Sequence, residues 1–226
     1  MKRVITVLLA ALLVLSLAAC GSRVETKKLA GTWTCTVDVT DRMNAAAEQA
    51  LGLSAADGAA KMPLQLVLTV TEDGAYTLRY DSDAVRTALD AYAAALHPAA
   101  VESVYAAAEE QGLSREEYDA AMEKAGITMD DMVAAIFAGV DEEELLSLLT
   151  GRSAALTGYC RAEGGQLYLA DTAAELAETA DCLSYTLSDG TMTWTDAQGE
   201  LSSQLTEQEQ ELLRVPLTWT KQEESK

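Results

Sequence analysis

Leu29-Ala30-Gly31-Thr32-Trp33-Thr34-Cys35-Thr36-Val37-Asp38-Val39-Thr40 is the stretch that decides the fold. Trp33, Cys35, Val37 and Val39 alternate with Thr34, Thr36, Asp38 and Thr40, and a period of two marks a strand with one buried face. The same alternation returns in Leu64, Leu66, Leu68 and Val70, and again in Tyr76, Leu78 and Tyr80. Between those two rows Glu72-Asp73-Gly74 reads as a hairpin turn, with glycine supplying a positive φ. The opening is therefore one strand, a helical excursion over roughly 42–60, and a hairpin.

Strand periodicity resumes near Leu156. Tyr159 to Ala162 and Leu167 to Ala170 flank Glu163-Gly164-Gly165. Leu183, Tyr185 and Leu187 precede Ser188-Asp189-Gly190, after which Met192 and Trp194 continue the row, and Val215, Leu217 and Trp219 form the last one. Predicted strands cover 31–40, 63–71, 75–81, 156–162, 166–170, 182–188, 191–196 and 214–221. Eight antiparallel strands of this length are enough to close a small barrel that is either filled by side chains or holds one small ligand. An open antiparallel sheet packed on helices predicts the same alternation but exposes two edges, and Pro216 in the last strand would suit an edge or bulge.

Over 82–152 the period is helical. Ala84, Leu89, Tyr92 and Leu96 share a face, and His97-Pro98 predicts the end of that helix because a residue before proline avoids the α region. A second helix is expected over 99–110. Gly112-Leu113-Ser114 with Glu117, Gly126-Ile127-Thr128 with Asp131, and Gly139-Val140-Asp141 with Glu144 each read as a stop glycine, a staple residue, an N-cap and an acid three places on. Short helices are also expected over 172–179 and 206–213.

The N-terminus carries a different kind of signal. Lys2 and Arg3 precede an apolar run from Val4 to Leu15, and Leu17-Ala18-Ala19-Cys20 follows. A basic start, an apolar stretch and small residues before a cut are the parts of a signal peptide. A cysteine directly after them resembles the lipobox of bacterial lipoproteins. The resemblance implies cleavage before Cys20, acylation of its thiol, and a mature chain anchored in the cell membrane by lipid on the extracytoplasmic face. The run from Val4 to Ala19 is 16 residues, short of the roughly 20 that a spanning helix needs. Expected organisation is a signal peptide over 1–19, a lipidated tether over 20–28, a β-barrel from 29–81 plus 153–226, and a helical insertion over 82–152.

The barrel portion resembles the lipocalin-like or calycin proteins. Gly31-Thr32-Trp33 opens its first strand, a meander with hairpin glycines follows, and the final strand returns beside the first. The resemblance implies that Trp33 closes the barrel base beneath a basic residue from near the last strand, here Arg214 or Lys221. It also implies a small apolar or amphipathic ligand lined by Trp33, Tyr76, Tyr80, Tyr185, Trp194 and Trp219, with the helical insertion as a lid. The Thr-Asp-Tyr signature of that family's middle is missing, and the insertion is not a standard part of it.

The chain has 226 residues and a net charge of -20, which becomes -22 when Lys2 and Arg3 leave with the signal. Such an excess repels nucleic acid and anionic lipid. A hydrophobic content of 49% supports a folded core, although alanine inflates it. Of the cysteines left after lipidation, Cys35 shares the face of Trp33 and reads as a small buried hydrophobe, while Cys160 and Cys182 bracket a hairpin and form a candidate disulfide. No paired Cys and His spacing calls for zinc, and no cofactor is expected.

Acidic clusters at Glu109-Glu110, Glu116-Glu117, Asp130-Asp131 and Asp141 to Glu144 mostly fall in first helical turns, where negative charge meets free amides. Asp196-Ala197-Gln198-Gly199-Glu200 lacks the alternating oxygen ligands of an EF-hand and reads as a turn. The sequence contains one histidine, His97, and no Gly-x-Ser-x-Gly elbow, so catalysis is not expected. Two noncatalytic functions follow. The barrel binds a ligand, or the protein is a cell-envelope scaffold that docks a partner through Tyr92, Tyr105, Tyr118, Met122, Met129, Met132 and Phe137 of the helical insertion.

Overall fold

A computed structural model describes residues 25–53, 61–137, 155–198 and 213–223. Eight strands are present: β1 (Gly31–Asp38), β2 (Pro63–Val70), β3 (Ala75–Tyr80), β4 (Leu156–Glu163), β5 (Gln166–Ala170), β6 (Cys182–Ser188), β7 (Thr191–Gln198) and β8 (Leu217–Lys221). They close into an antiparallel barrel in chain order. β8 returns to β1, with Trp33 opposite Lys221 and Thr34 opposite Thr220. The fold is thus α+β, a lipocalin-like barrel with a helical insertion between β3 and β4. Closure leaves no edge, which excludes the open-sheet alternative. Pro216 lies just ahead of β8 and takes no place in its ladder.

Register explains which side chains turn inward, because directly opposed residues share a face. Leu66, Leu68 and Val70 face Tyr80, Leu78 and Tyr76. Tyr76 then faces Gly158, Cys160 faces Leu169, and Ala162 faces Leu167. Leu167 meets Leu183 on β6. Ser184 opposes Asp196 but Tyr185 opposes Trp194, so Thr195 is the extra residue of a bulge and the row continues in register beyond it. Trp194 faces Leu217, Met192 faces Trp219, and the row ends on Lys221 and Trp33. Asp196, expected in a turn, instead lies within β7.

The tight hairpins at 71–74, 164–165 and 189–190 gather at one end of the barrel, and the longer connections leave from the other. The start of β1 and the end of β8 belong to the hairpin end. Residues 25–29 form a helical turn against it. There the Ala162 amide donates to Thr26 Oγ1 at 3.0 Å, the Gly164 amide donates to Glu25 Oε2 at 2.8 Å, and Leu29 is buried.

The chain divides into two compact units. Of the described residues, one contains those up to Cys35, Leu66–Tyr80 and those from 155 onward, and the other contains those within 36–65 and 81–137. The second unit therefore takes in 36–65 as well as the insertion. Its helices are α1 (Thr40–Leu51), α2 (Ser82–Glu110), α3 (Arg115–Ala125) and α4 (Met129–Phe137). Gly52 stops α1 in the left-handed conformation.

Pro98 does not end a helix; α2 runs through it. A proline interior to a helix costs about 3 kcal/mol through its missing amide and ring clash. Burial outweighs that cost here, since Val85, Ala88, Tyr92, Leu96, Ala100, Val104 and Ala108 form one buried stripe along 29 residues. His97 is consequently mid-helix, with Nε2 at 3.0 Å from Asp130 Oδ1.

The capping signals read from sequence are seen at two of the three positions. Ser114 and Glu117 make a reciprocal capping box, and Thr128 and Asp131 bond each other's amides at 2.8 and 3.1 Å. These bonds hold the Glu117 and Asp131 carboxyls below the usual carboxylate range. The third position, 139–144, and the helix expected over 206–213 lie outside the described residues. Over 172–179 only a 3-10 turn at Glu175–Ala177 forms, and none of its residues is buried.

Candidate functional site

Gly31-Thr32-Trp33 gains its physical meaning at the hairpin end. Gly31 has φ of 124°, and a Cβ there would stand 2.8 Å from Lys221 Cε. Glycine therefore leaves the lane along which the Lys221 side chain crosses to Trp33, where its Nζ lies 5.3 Å from the ring centroid. Trp33 is buried, and its Nε1 donates to the Leu29 carbonyl at 2.7 Å, tying the 25–29 turn to the strand. Main-chain bonds lock the same corner: Lys221 N donates to Gly190 O and Gln222 N donates to Thr32 O, each at 2.8 Å. Of the two basic residues named from sequence, Lys221 takes the place over Trp33. Arg214 is exposed ahead of β8, away from that corner.

Pairing gathers the six aromatic candidates on one inward face. Trp33, Trp194 and Trp219 are at least 95% buried, whereas Tyr76, Tyr80 and Tyr185 are partly exposed. Trp194 and Trp219 touch, with ring centroids 4.8 Å apart and planes at 48°. Burial raises the Tyr185 phenol above its ordinary pKa, with the Glu25 carboxylate adding to the shift. Gly158 makes room for this lining, since a Cβ there would come within 2.9 Å of the Tyr76 ring.

Cys160 and Cys182 do not pair; both are free thiols, as is Cys35. Two features of the sheet explain this. Cys160 faces Leu169 and so joins the inward row, whereas Cys182 faces Tyr168 on the opposite side of the sheet. β5 also separates their strands, and two interstrand spacings of about 4.8 Å exceed the Cα separation of a disulfide. Cys182 Sγ instead donates to Gln166 Oε1 at 3.2 Å.

Burial alone pushes the Cys160 thiol up to about 12, and burial also raises Cys35 against a smaller opposing bond to the Thr218 backbone. The thiolate is the nucleophile, so both groups are chemically quiet at neutral pH. Iodoacetamide at about pH 8 should leave Cys35 and Cys160 unmodified in the folded protein and label them after denaturation, read by peptide mass; rapid native labelling of Cys160 would contradict its placement. Folded Cys160 keeps a proton that the unfolded chain loses from about pH 8.5, so its contribution to stability is intact below that value and declines as pH rises toward 12.

The residues named as partner anchors are largely engaged within the helices. Tyr92 donates to Asn44 Oδ1 at 2.7 Å. Tyr105 donates to Asp119, packs edge-on against Tyr118 and carries the Arg115 guanidinium over its ring. Met129 and Phe137 pack on the Leu53, Ala100 and Val133 cluster, and Met122 is buried.

Sequence reading did not single out Thr26 or Glu25, whose side chains receive amides from the far side of the barrel. Their isolated polar positions before the first strand carried no pattern. Cys20 lies outside the described residues. No helix among the described residues is long and apolar enough to cross a membrane. Comparison with protein-family models, with curated proteins and with solved structures finds no match to this chain.

Proposed function

We propose that this is a lipid-anchored extracytoplasmic protein that works without catalysis by binding a small apolar or amphipathic molecule inside its barrel. The observation that carries the reading is the inward face itself: a closed eight-stranded barrel turns three tryptophans and three tyrosines onto one continuous lining. Eight strands enclose a space on the scale of side chains or one small molecule. Polar anchoring at the hairpin end, through Lys221, Trp33 and the 25–29 turn, fixes that end and leaves the aromatic residues of β3, β6, β7 and β8 to line the interior. Anchoring to the membrane rests on Lys2, Arg3, the apolar run and Leu17-Ala18-Ala19-Cys20.

Native mass spectrometry of the full protein from its producing cells tests the reading. A discrete extra mass, beyond the acyl chains on Cys20 and lost on denaturation, is expected. A native mass equal to the denatured one at every ionisation energy would count against the binding barrel and in favour of an envelope scaffold.

A further inference from the structure

We infer that the barrel's ligand is a neutral molecule carrying a hydrogen-bond acceptor, a carbonyl group, which the paired indoles of Trp194 and Trp219 hold on the β7–β8 wall. The inference rests on the ligand-binding reading above and specifies the chemistry that the same interior selects.

The argument begins with three tryptophans in one interior. Trp33 Nε1 has its acceptor, the Leu29 carbonyl. Trp194 and Trp219 are 5% and 0% exposed, and neither Nε1 finds an acceptor among the described residues. Buried indole N–H groups normally have partners, and leaving one without costs about 1–3 kcal/mol. Two such donors belong to rings in contact, on strands whose main-chain groups are committed to the ladder between β6, β7 and β8. Elsewhere among the described residues the only buried side-chain donor left over is Arg161 Nε, whose guanidinium bonds Glu163 and covers Tyr168. Unmet donor capacity is thus concentrated at one place on the lining.

A group that can serve two N–H donors carried by touching rings is an oxygen with two lone pairs. The charge state of the ligand follows from the surroundings. Cys160 on the same inward face stays protonated far above its ordinary range because the interior disfavours an anion. Among the described inward residues the cation is Lys221, at the hairpin end over Trp33. A chain of net charge -20 also repels an approaching carboxylate. A ketone, ester or amide oxygen is satisfied by the indoles without bringing that charge inside.

The test uses the full chain in lipid nanodiscs, with indole nitrogens and methionine methyls isotopically labelled, and two probes of matched shape, 2-nonanone and nonane. The methyl of Met192, fully buried opposite Trp219, reports occupation by either probe, and Trp194→Phe and Trp219→Phe identify the two indole signals. The expected result is that 2-nonanone moves both N–H proton resonances downfield, leaves the Trp33 resonance in place, and binds roughly tenfold more tightly than nonane. Equal binding of the two probes, with no downfield movement, overturns the acceptor assignment and leaves the binding barrel standing. Resonances already downfield and indifferent to the ketone mean that water satisfies the pair, which also overturns it. If neither probe perturbs Met192, the ligand-binding reading falls and this inference falls with it.

Discussion

Replacing Trp33 with alanine should destabilise the barrel by about 3–5 kcal/mol, the range for removing a fully buried large aromatic side chain. Three losses coincide at that site. The ring leaves a cavity at the hairpin end, the Leu29 carbonyl loses its 2.7 Å donor, and the Lys221 ammonium loses the face it lies over. The readout is specific, because every tryptophan of the chain lies in the barrel unit. Emission from Trp194 and Trp219 therefore follows barrel unfolding in urea, while far-ultraviolet dichroism is dominated by the helices. Lys221→Met separates the contributions. It keeps an apolar stem above the ring and removes only the charge, so its loss should stay near 1 kcal/mol, the scale of an exposed cation–π contact. A Trp33→Ala variant that unfolds within 1 kcal/mol of the wild type would show that the Lys221–Trp33–Leu29 corner does not support the barrel.

Gly74→Ala should cost about 2–4 kcal/mol by the same fluorescence measurement. Gly74 closes the β2–β3 hairpin with φ of 89°, a conformation that any Cβ strains. Its surroundings add a second penalty, since a Cβ there would collide with the Cys160 carbonyl and stand 3.3 Å from Thr26 Cγ2. The obstacle is backbone, so a rotamer change cannot relieve it. Moving the turn would also disturb the 2.7 Å bond that the Cys160 amide donates to the Gly74 carbonyl. Gly164→Ala is the matched control. Gly164 has φ of 60° in the β4–β5 hairpin, yet nothing lies within 4 Å of its Cβ position. That variant should lose only about 1 kcal/mol, the conformational part alone. Equal losses at the two positions would mean that the contact with β4 has no energetic weight.

These expectations show where the sequence was legible. Period-two alternation located every strand to within a few residues, because a closed barrel imposes one inward row on each strand regardless of what lies across it. The glycine at each hairpin and the Ser114 and Thr128 caps were legible for a similar reason, being satisfied by atoms within four residues. Pro98 was misread because the local rule is real but small beside seven buried positions on one helical face. Trp33 could be named as a base residue from Gly31-Thr32-Trp33, yet Arg214 and Lys221 were equivalent until register set Trp33 opposite Lys221.

The six aromatic candidates were readable as inward residues, but their differences were not. Nothing in spacing distinguishes Trp33, whose donor is met four residues away, from Trp194 and Trp219, whose donors meet no acceptor among the described residues. The thiols follow the same division. Cys160 and Cys182 are 22 positions apart in sequence, a separation open to a disulfide, and only the intervening β5 and the opposite faces of the sheet keep them apart. By itself the sequence determined what local stereochemistry controls: strand period, turn glycines, helix caps, and the basic, apolar and small-residue order before Cys20. Tertiary structure decided closure of the barrel, the cation over Trp33, the helix through Pro98 and the partners of each buried polar atom. Those outcomes depend on contacts between residues far apart in the chain, where packing and desolvation exceed any local preference.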